Sequence, residues 1–317
     1  MARTMRAAVF SEYGGPDVIS LADVPVPEPG PGEVRIKVGA ASLNHLDLWV
    51  RRGLPIETPM PHIGGSDIAG VVDAVGADVV DVPKGLRVVV DPSLHYDWYE
   101  GHSRGPSFQD PRFSIIGEHT QGGFAEYAVV PAGNLVEIPD HVTFPVAAAA
   151  GLVSVTAWRG LMTRGGLRAG ERVLITGGSG GVSTMAIQIA RMAGARVYVV
   201  TSGQENMRRV KDLGADEAYD RRSVDFSREV WRDTGKQGVH LILDAVGQEV
   251  WPQCLKALGV QGRLVSYGAT TGSRGSTELR VVFWKQLTIM GSTMGTPGEF
   301  RAVMEHVFAG RIQPVIH

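Results

Sequence analysis

The sequence holds a single cysteine, Cys254, in 317 residues, so it can form neither an intrachain disulfide nor a thiolate cluster for zinc. It also lacks an excess of either charge: 31 Lys and Arg stand against 33 Asp and Glu, a formal net charge of -2. That balance gives no electrostatic footing for nucleic acid or an anionic membrane surface, and neither is expected as a partner. The N-terminal MARTMRAAVFSEYGG has no continuous apolar segment of the signal-peptide kind. No run reads as approaching the ~18 uncharged apolar residues of a membrane-crossing helix. A cytoplasmic protein is therefore expected. Internal repeats and low-complexity tracts are missing as well.

Glycine is abundant. Its 41 residues are scattered among valine-rich segments, which fits tight turns and close backbone approaches rather than disorder. A single hydrophobic core stops growing near ~250 to 300 residues, so two lobes are the default at this length. The first lobe shows short β-branched runs, VPVPEPGPGEVRIKVGAA, DIAGVVDAVG, LRVVVDP and GFAEYAVVP, with Gly, Pro and Asp between them. This pattern predicts an antiparallel, barrel-like lobe, with VPVPEPGPG as a loop entering a strand.

The pattern changes near residue 143, where TFPVAAAAGLVSVTAWRGLMTRG predicts a mostly buried helix pair. Strands RVLIT, RVYVV, HLILDAVG and GRLVSYGAT then alternate with helical segments, which predicts βαβ units and a doubly wound parallel sheet. The final EFRAVMEHVFAGRIQPVIH reads as a helix followed by the start of a strand.

The strand RVLIT runs into GGSGGVS and then a helix, so Gly178, Gly180 and Ser183 take the places of a G-x-G-x-x-G fingerprint. Glycine is needed at the first two places because the turn is tight and the backbone must approach a pyrophosphate seated at the helix N-terminus. Inside repeated βαβ units this predicts dinucleotide binding by Gly178, Ser179, Gly180, Gly181 and Val182.

Together, VLITGGSGGVSTMAIQIARMAGARV, LGAD, DAVG, GRLVSYGA, ASLNHLDLW and GEHTQGGFAEYAVVP resemble the medium-chain dehydrogenase/reductase superfamily, in its alcohol dehydrogenase and quinone oxidoreductase branches. The resemblance covers nearly the whole chain. It implies a GroES-like catalytic lobe over residues 1–130, a Rossmann lobe over 131–294, and a nicotinamide cofactor in the cleft between them. Relatives usually run on for another helix and strand, so 295–317 is expected to be a truncated part of the catalytic lobe.

In zinc-dependent relatives the catalytic metal takes two cysteines and a histidine at positions that match Asn44, Ser66 and Leu152, none of which supplies a thiolate or imidazole. The insert DPSLHYDWYEGHSRGPSFQDPRF has no cysteine for a structural zinc. No metal is therefore expected, although a rebuilt site from His45, His62, Asp67, His95 or His119 is chemically open. Ser66, Asp67 and nearby Asp47 are expected in a metal-free polar cluster, structural or catalytic in role. Without a Lewis acid, conjugated acceptors suit hydride transfer better than simple ketones, because the substrate itself spreads the negative charge. Asn44 could orient the carbonyl and His45 could donate a proton, or His45 could be a rim residue.

The resemblance places Thr156, Val246 and Gly268 around the cofactor. The second strand ends in Thr201 and Ser202 with no carboxylate before Glu205, and Arg221 and Arg222 could meet a 2′-phosphate, which favours NADPH over NADH. Asn206, where NADPH-preferring relatives often carry lysine, weighs the other way. The expected function is zinc-independent, NADPH-dependent reduction of a quinone or α,β-unsaturated carbonyl. The rivals are an alcohol dehydrogenase or ketoreductase with an unusual or absent metal, and a non-catalytic nucleotide-binding redox sensor. LTIMGSTMG, residues 287–295, reads as an apolar edge strand, so a homodimer paired along it is expected.

Overall fold

The computed structural model describes residues 3–96 and 112–316, so most of the cysteine-free insert lies outside the described residues. The chain divides into two compact units, Met1–Leu152 with Gly295–His317, and Val153–Met294. The first seam falls inside the helix Phe144–Trp158. Residues beyond 130 are bound into the first unit because the strand Leu135–Glu137 pairs antiparallel with Arg87–Val90.

The first unit holds strands β1 (Thr4–Phe10), β2 (Ser20–Pro25), β3 (Glu33–Ser42), β4 (His62–Ile63), β5 (Asp67–Val75), β6 (Arg87–Val90), β7 (Ser93–Leu94), β8 (Ser114–Ile115), β9 (Tyr127–Pro131) and β10 (Leu135–Glu137). An antiparallel sheet runs β10-β6-β5-β3-β9, beside a smaller sheet β2-β1-β4 and the hairpin β7-β8. Alternation along β3 turns Val34 and Ile36 inward against Ile68, Val72, Val88, Val90 and Val130. Each fully buried aliphatic side chain contributes about 1.5–3 kcal/mol. The β3–β5 register closes with Ser42 opposite Asp67, so the core strands themselves carry two polar residues to one place.

The second unit is a six-stranded parallel sheet of β11 (Arg172–Ile175), β12 (Arg196–Thr201), β13 (Glu217–Asp220), β14 (Val239–Asp244), β15 (Leu258–Ser266) and β16 (Thr288–Gly291), in the order β13-β12-β11-β14-β15-β16. Val173, Leu174, Ile175, Val197, Tyr198, Val199 and Val200 are all buried, as strands covered on both faces require. Cys254 lies in the same core with Tyr198, Phe226 and Leu264. Chain order reverses on either side of β11, so the loops after β11 and β14 leave in opposite directions and open a crevice at the strand C-termini.

The structure differs from three expectations for the segments at 144–164 and 297–316, and adds one helix on which the sequence made no assignment. The segment from Phe144 is one helix to Trp158 continuing as a π-helical turn over Arg159–Arg164, not a helix pair, since nothing breaks it before Gly165 and Gly166. Phe144–Arg164 is also long and apolar enough to cross a membrane by length and composition, against the reading of the sequence; 72% of its apolar window is buried inside the protein, so the core accounts for it. After the helix Pro297–Phe308 no strand forms among the described residues. A helix over Leu279–Lys285 precedes β16, where the sequence pattern showed none.

Candidate functional site

In the first unit a buried carboxylate gathers the polar residues. Asp67, 1% exposed, accepts hydrogen bonds from Ser42 Oγ at 2.7 Å, Asn44 Nδ2 at 2.7 Å and the Leu152 N–H at 2.7 Å. Burial pushes its carboxyl pKa up while these three bonds hold it down. The contact with the helix depends on Gly151, because a methyl group there would come within 2.4 Å of Asp67 Oδ1. Asp47 forms the next layer, accepting from the Asn44 N–H at 2.6 Å and the Gly65 N–H at 3.2 Å. Burial, with the Asp67 charge adding to it, raises Asp47 to about 6. Ser66 is fully buried, and its hydroxyl meets no partner among the described residues.

The structure thus brings Asn44, Asp47, Ser66 and Asp67 together, with Leu152 joining through its backbone. His45, the first residue of the helix His45–Arg52, is exposed and lies against the Trp49 ring, outside this network. His62 binds the Gly117 carbonyl at 3.0 Å, His119 accepts the Ile115 N–H at 3.1 Å, and His95 is exposed. Among the described residues, no three His, Cys, Asp or Glu side chains converge as metal ligands. An amide, a hydroxyl and a leucine do not fit the Cys₂His chemistry of a catalytic zinc.

Glu118 was not singled out by the sequence. It is 8% exposed, its Oε2 has no hydrogen-bond partner among the described residues, and burial raises its carboxyl to about 7. It sits in a turn locked to the Ser66 segment, since a methyl group at neighbouring Gly117 would lie 2.6 Å from the Gly65 carbonyl carbon.

In the second unit the glycine turn leaves β11 with Gly177 at φ +60, a left-handed conformation that favours glycine. A methyl group at Gly178 would lie 2.3 Å from Val199 Cγ1, so only glycine lets the turn cross β12. Gly180 precedes the helix Gly181–Met192 as its N-cap, leaving the first N–H groups of the helix to an anion. Ser183 fills the third fingerprint place without loss of packing, because its hydroxyl donates to the Thr176 carbonyl at 2.9 Å. Val246 closes against the turn, 3.3 Å from a methyl at Gly177, and the helix segment carrying Thr156 touches it where Val153 meets Gly181.

A second buried aspartate locks this crevice. Asp244 accepts from Thr176 Oγ1 at 2.6 Å and from the N–H groups of Val246 and Gly247 at 3.1 Å each, joining the ends of β11 and β14. Gly268 follows β15 against Ala245. At the end of β12, Thr201 is buried and Ser202 Oγ accepts from Arg221 Nε at 3.1 Å. Asn206 Nδ2 donates to the Ser202 carbonyl, and Arg222 stays exposed.

Comparison with known proteins gives a consistent picture. A family model described as the alcohol dehydrogenase GroES-like domain matches residues 30–140, and one described as zinc-binding dehydrogenase matches residues 181–309. The chain is 31% identical over 324 residues to the quinone oxidoreductase of Homo sapiens, covering 99% of this chain and 89% of that protein. A crystal structure described as an NAD-dependent alcohol dehydrogenase is similar at TM-score 0.90 and 41% identity, over 98% of this chain and 91% of that one. The crotonyl-CoA carboxylase/reductase AntE in complex with NADP is similar at TM-score 0.88 and 28% identity, over 99% and 87%.

Proposed function

The chain belongs to the medium-chain dehydrogenase/reductase superfamily and is an NAD(P)-dependent oxidoreductase, and from that premise we propose that it is a zinc-independent NADPH-dependent reductase of quinones or α,β-unsaturated carbonyls. The observation that carries this reading is the hydrogen bonding of Asp67 by Ser42, Asn44 and Leu152, two of which, Asn44 and Leu152, stand at positions matched to metal ligands of zinc-dependent relatives. A hydrogen-bonded hub of this kind offers donors to a substrate oxygen but no Lewis acid for a localised alkoxide. A conjugated acceptor needs less, because its own π-system carries the charge. Asn44 gives one Nδ2 proton to Asp67, which leaves the second for a substrate carbonyl. The return of a proton is assigned to His45, next in the chain and exposed, although it lies outside the Asp67 network. Bound NADPH supplies the hydride.

The choice of NADPH rests on Ser202 and Arg221: β12 itself ends without a carboxylate, and the Arg221 guanidinium lies beside Ser202, where the ribose of a bound dinucleotide would sit. The human relative is named for quinones and AntE was solved with NADP, which fits; the similar alcohol dehydrogenase is named NAD-dependent. A small-molecule substrate and a cytoplasmic location go with this reading. So does a homodimer. The edge strand β16 leaves Ile289 39% exposed, and the helix before it buries no residue, with Leu279, Phe283 and Trp284 at 70%, 65% and 82% exposure. A second copy paired along β16 would cover that surface. Light scattering is expected to show a dimer, and a monomer at micromolar concentration would reject it.

The test of function is NADPH oxidation against quinones, enones and simple ketones, with elemental analysis of the same sample. Turnover with the first two, insensitive to chelators, is expected. About one zinc per chain, or activity confined to simple alcohols and ketones, would favour the alcohol dehydrogenase reading, and binding without any turnover would favour a redox sensor.

A further inference from the structure

Arg221 is not free to meet a phosphate unopposed. The register of β12 and β13 sets Thr201 opposite Asp220, so Ser202 and Arg221 emerge side by side at the strand ends, and the Arg221 N–H donates to the Thr201 carbonyl at 3.1 Å. The guanidinium then divides its donors. Nε binds Ser202 Oγ at 3.1 Å, while Nη1 binds Glu249 Oε2 at 2.7 Å. Glu249 comes from the turn after β14, on the far side of β11 in the sheet order. Its backbone is fixed there: the Glu249 N–H donates to Thr271 Oγ1 at 3.1 Å, and that hydroxyl donates to the Val246 carbonyl at 2.7 Å. A carboxylate is therefore held against Arg221, the preferred of the two arginines that the cofactor reading offers to the 2′-phosphate.

We propose that Glu249 is a specificity-determining residue, a counter-charge on Arg221 that lowers the protein's affinity for NADPH and leaves its affinity for NADH unchanged. The inference rests on the NADPH reading given above. The physical reason is competition. A 2′-phosphate carries close to two negative charges, and it must either share Arg221 with the carboxylate or displace it. NADH presents ribose hydroxyls at the same place, which are neutral and do not contest the ion pair. Arg221 and Glu249 are 38% and 55% exposed, so their pairing contributes little to folding and either side chain can be changed without unfolding the unit. Exposure also sets the salt dependence: the competition is screened as ionic strength rises.

The experiment is fluorescence titration of NADPH and of NADH with the full-length wild type, Glu249→Gln, Arg221→Ala and the double variant, at low and high salt. Glu249→Gln is expected to tighten NADPH binding about threefold or more at low salt, less at high salt, with NADH unchanged. Arg221→Ala is expected to weaken NADPH, and in its background Glu249→Gln should have no further effect. If Arg221→Ala weakens NADPH but Glu249→Gln leaves it unaltered, the inference falls and the NADPH reading stands. If Arg221→Ala does nothing, the NADPH reading fails, and the inference with it. A loss of NADH affinity in Glu249→Gln would show the carboxylate binding ribose hydroxyls, and would also overturn the inference.

Discussion

Asp67 and Asp244 are the same device used in two different ways. Each is a buried aspartate that collects three hydrogen bonds, and burial raises the pKa of both. The donors to Asp67 lie 25, 23 and 85 residues away in sequence, whereas two of the three donors to Asp244 are only 2 and 3 residues away. Asp67 therefore ties together a strand, a helix cap and a second helix, so its loss is felt across its unit. Asp244 mainly shapes its own turn, and its one distant bond fixes that turn to β11. In the proposed function the first arrangement would be a polar floor for a substrate, and the second a cradle for a dinucleotide.

The largest effect expected is from Asp67→Ala. It removes the buried acceptor shared by three donors on separate elements and should cost about 3–5 kcal/mol in denaturant unfolding. Asp244→Ala should cost less, about 2–3 kcal/mol, because two of its three donors belong to its own turn, which can rearrange without disturbing other elements, while dinucleotide binding is lost as the turn relaxes. Equal losses in the two variants would erase the distinction.

Glu118 supplies the contrasting case of a buried carboxyl whose Oε2 accepts no hydrogen bond among the described residues. Its ordinary value of 4.5 is raised to about 7, so the folded state holds the proton more tightly than the unfolded state. Its contribution is thus complete below about pH 4.5 and is lost as pH rises through about 7. Relative to Glu118→Gln, the wild type should lose on the order of 2–3 kcal/mol across that window. A difference between the two that does not vary with pH would show that Glu118 has an ordinary pKa. The smallest effects sharpen the comparison directly: Ser42→Ala and Thr176→Val each remove a single hydroxyl donor, at about 1 kcal/mol. Thr176→Val should in addition weaken dinucleotide binding, which Ser42→Ala should leave alone.

The sequence made one of these regions easier to read than the other. The β11 turn was legible because strand, glycines and helix are consecutive, and Gly178 is forced by a single neighbour, Val199. The meeting of Asn44, Asp47, Ser66 and Asp67 was visible only through resemblance, since their bonds depend on the β3–β5 register. Leu152 entered through its main chain, which no side-chain pattern reports. Gly151 gave no signal beyond a glycine in an apolar helix, although its missing side chain admits the Asp67 carboxylate. Glu118 and Glu249 were missed for a related reason: burial of the carboxyl in one, and an ion pair spanning 28 residues in the other, leave no local pattern. The helix Leu279–Lys285 escaped because it buries none of its residues, and so shows no amphipathic period.

Quinones and enones are electrophiles that alkylate thiolates, and a reductase handling them is exposed to covalent damage from its own substrates. The chain's one sulfhydryl is 0% exposed in the core of the second unit, and burial raises its pKa well above the ordinary thiol range. Almost none of it is thiolate, and no electrophile can reach it while the unit is folded. The folded protein presents no sulfur nucleophile at Cys254 to the compounds it is proposed to reduce.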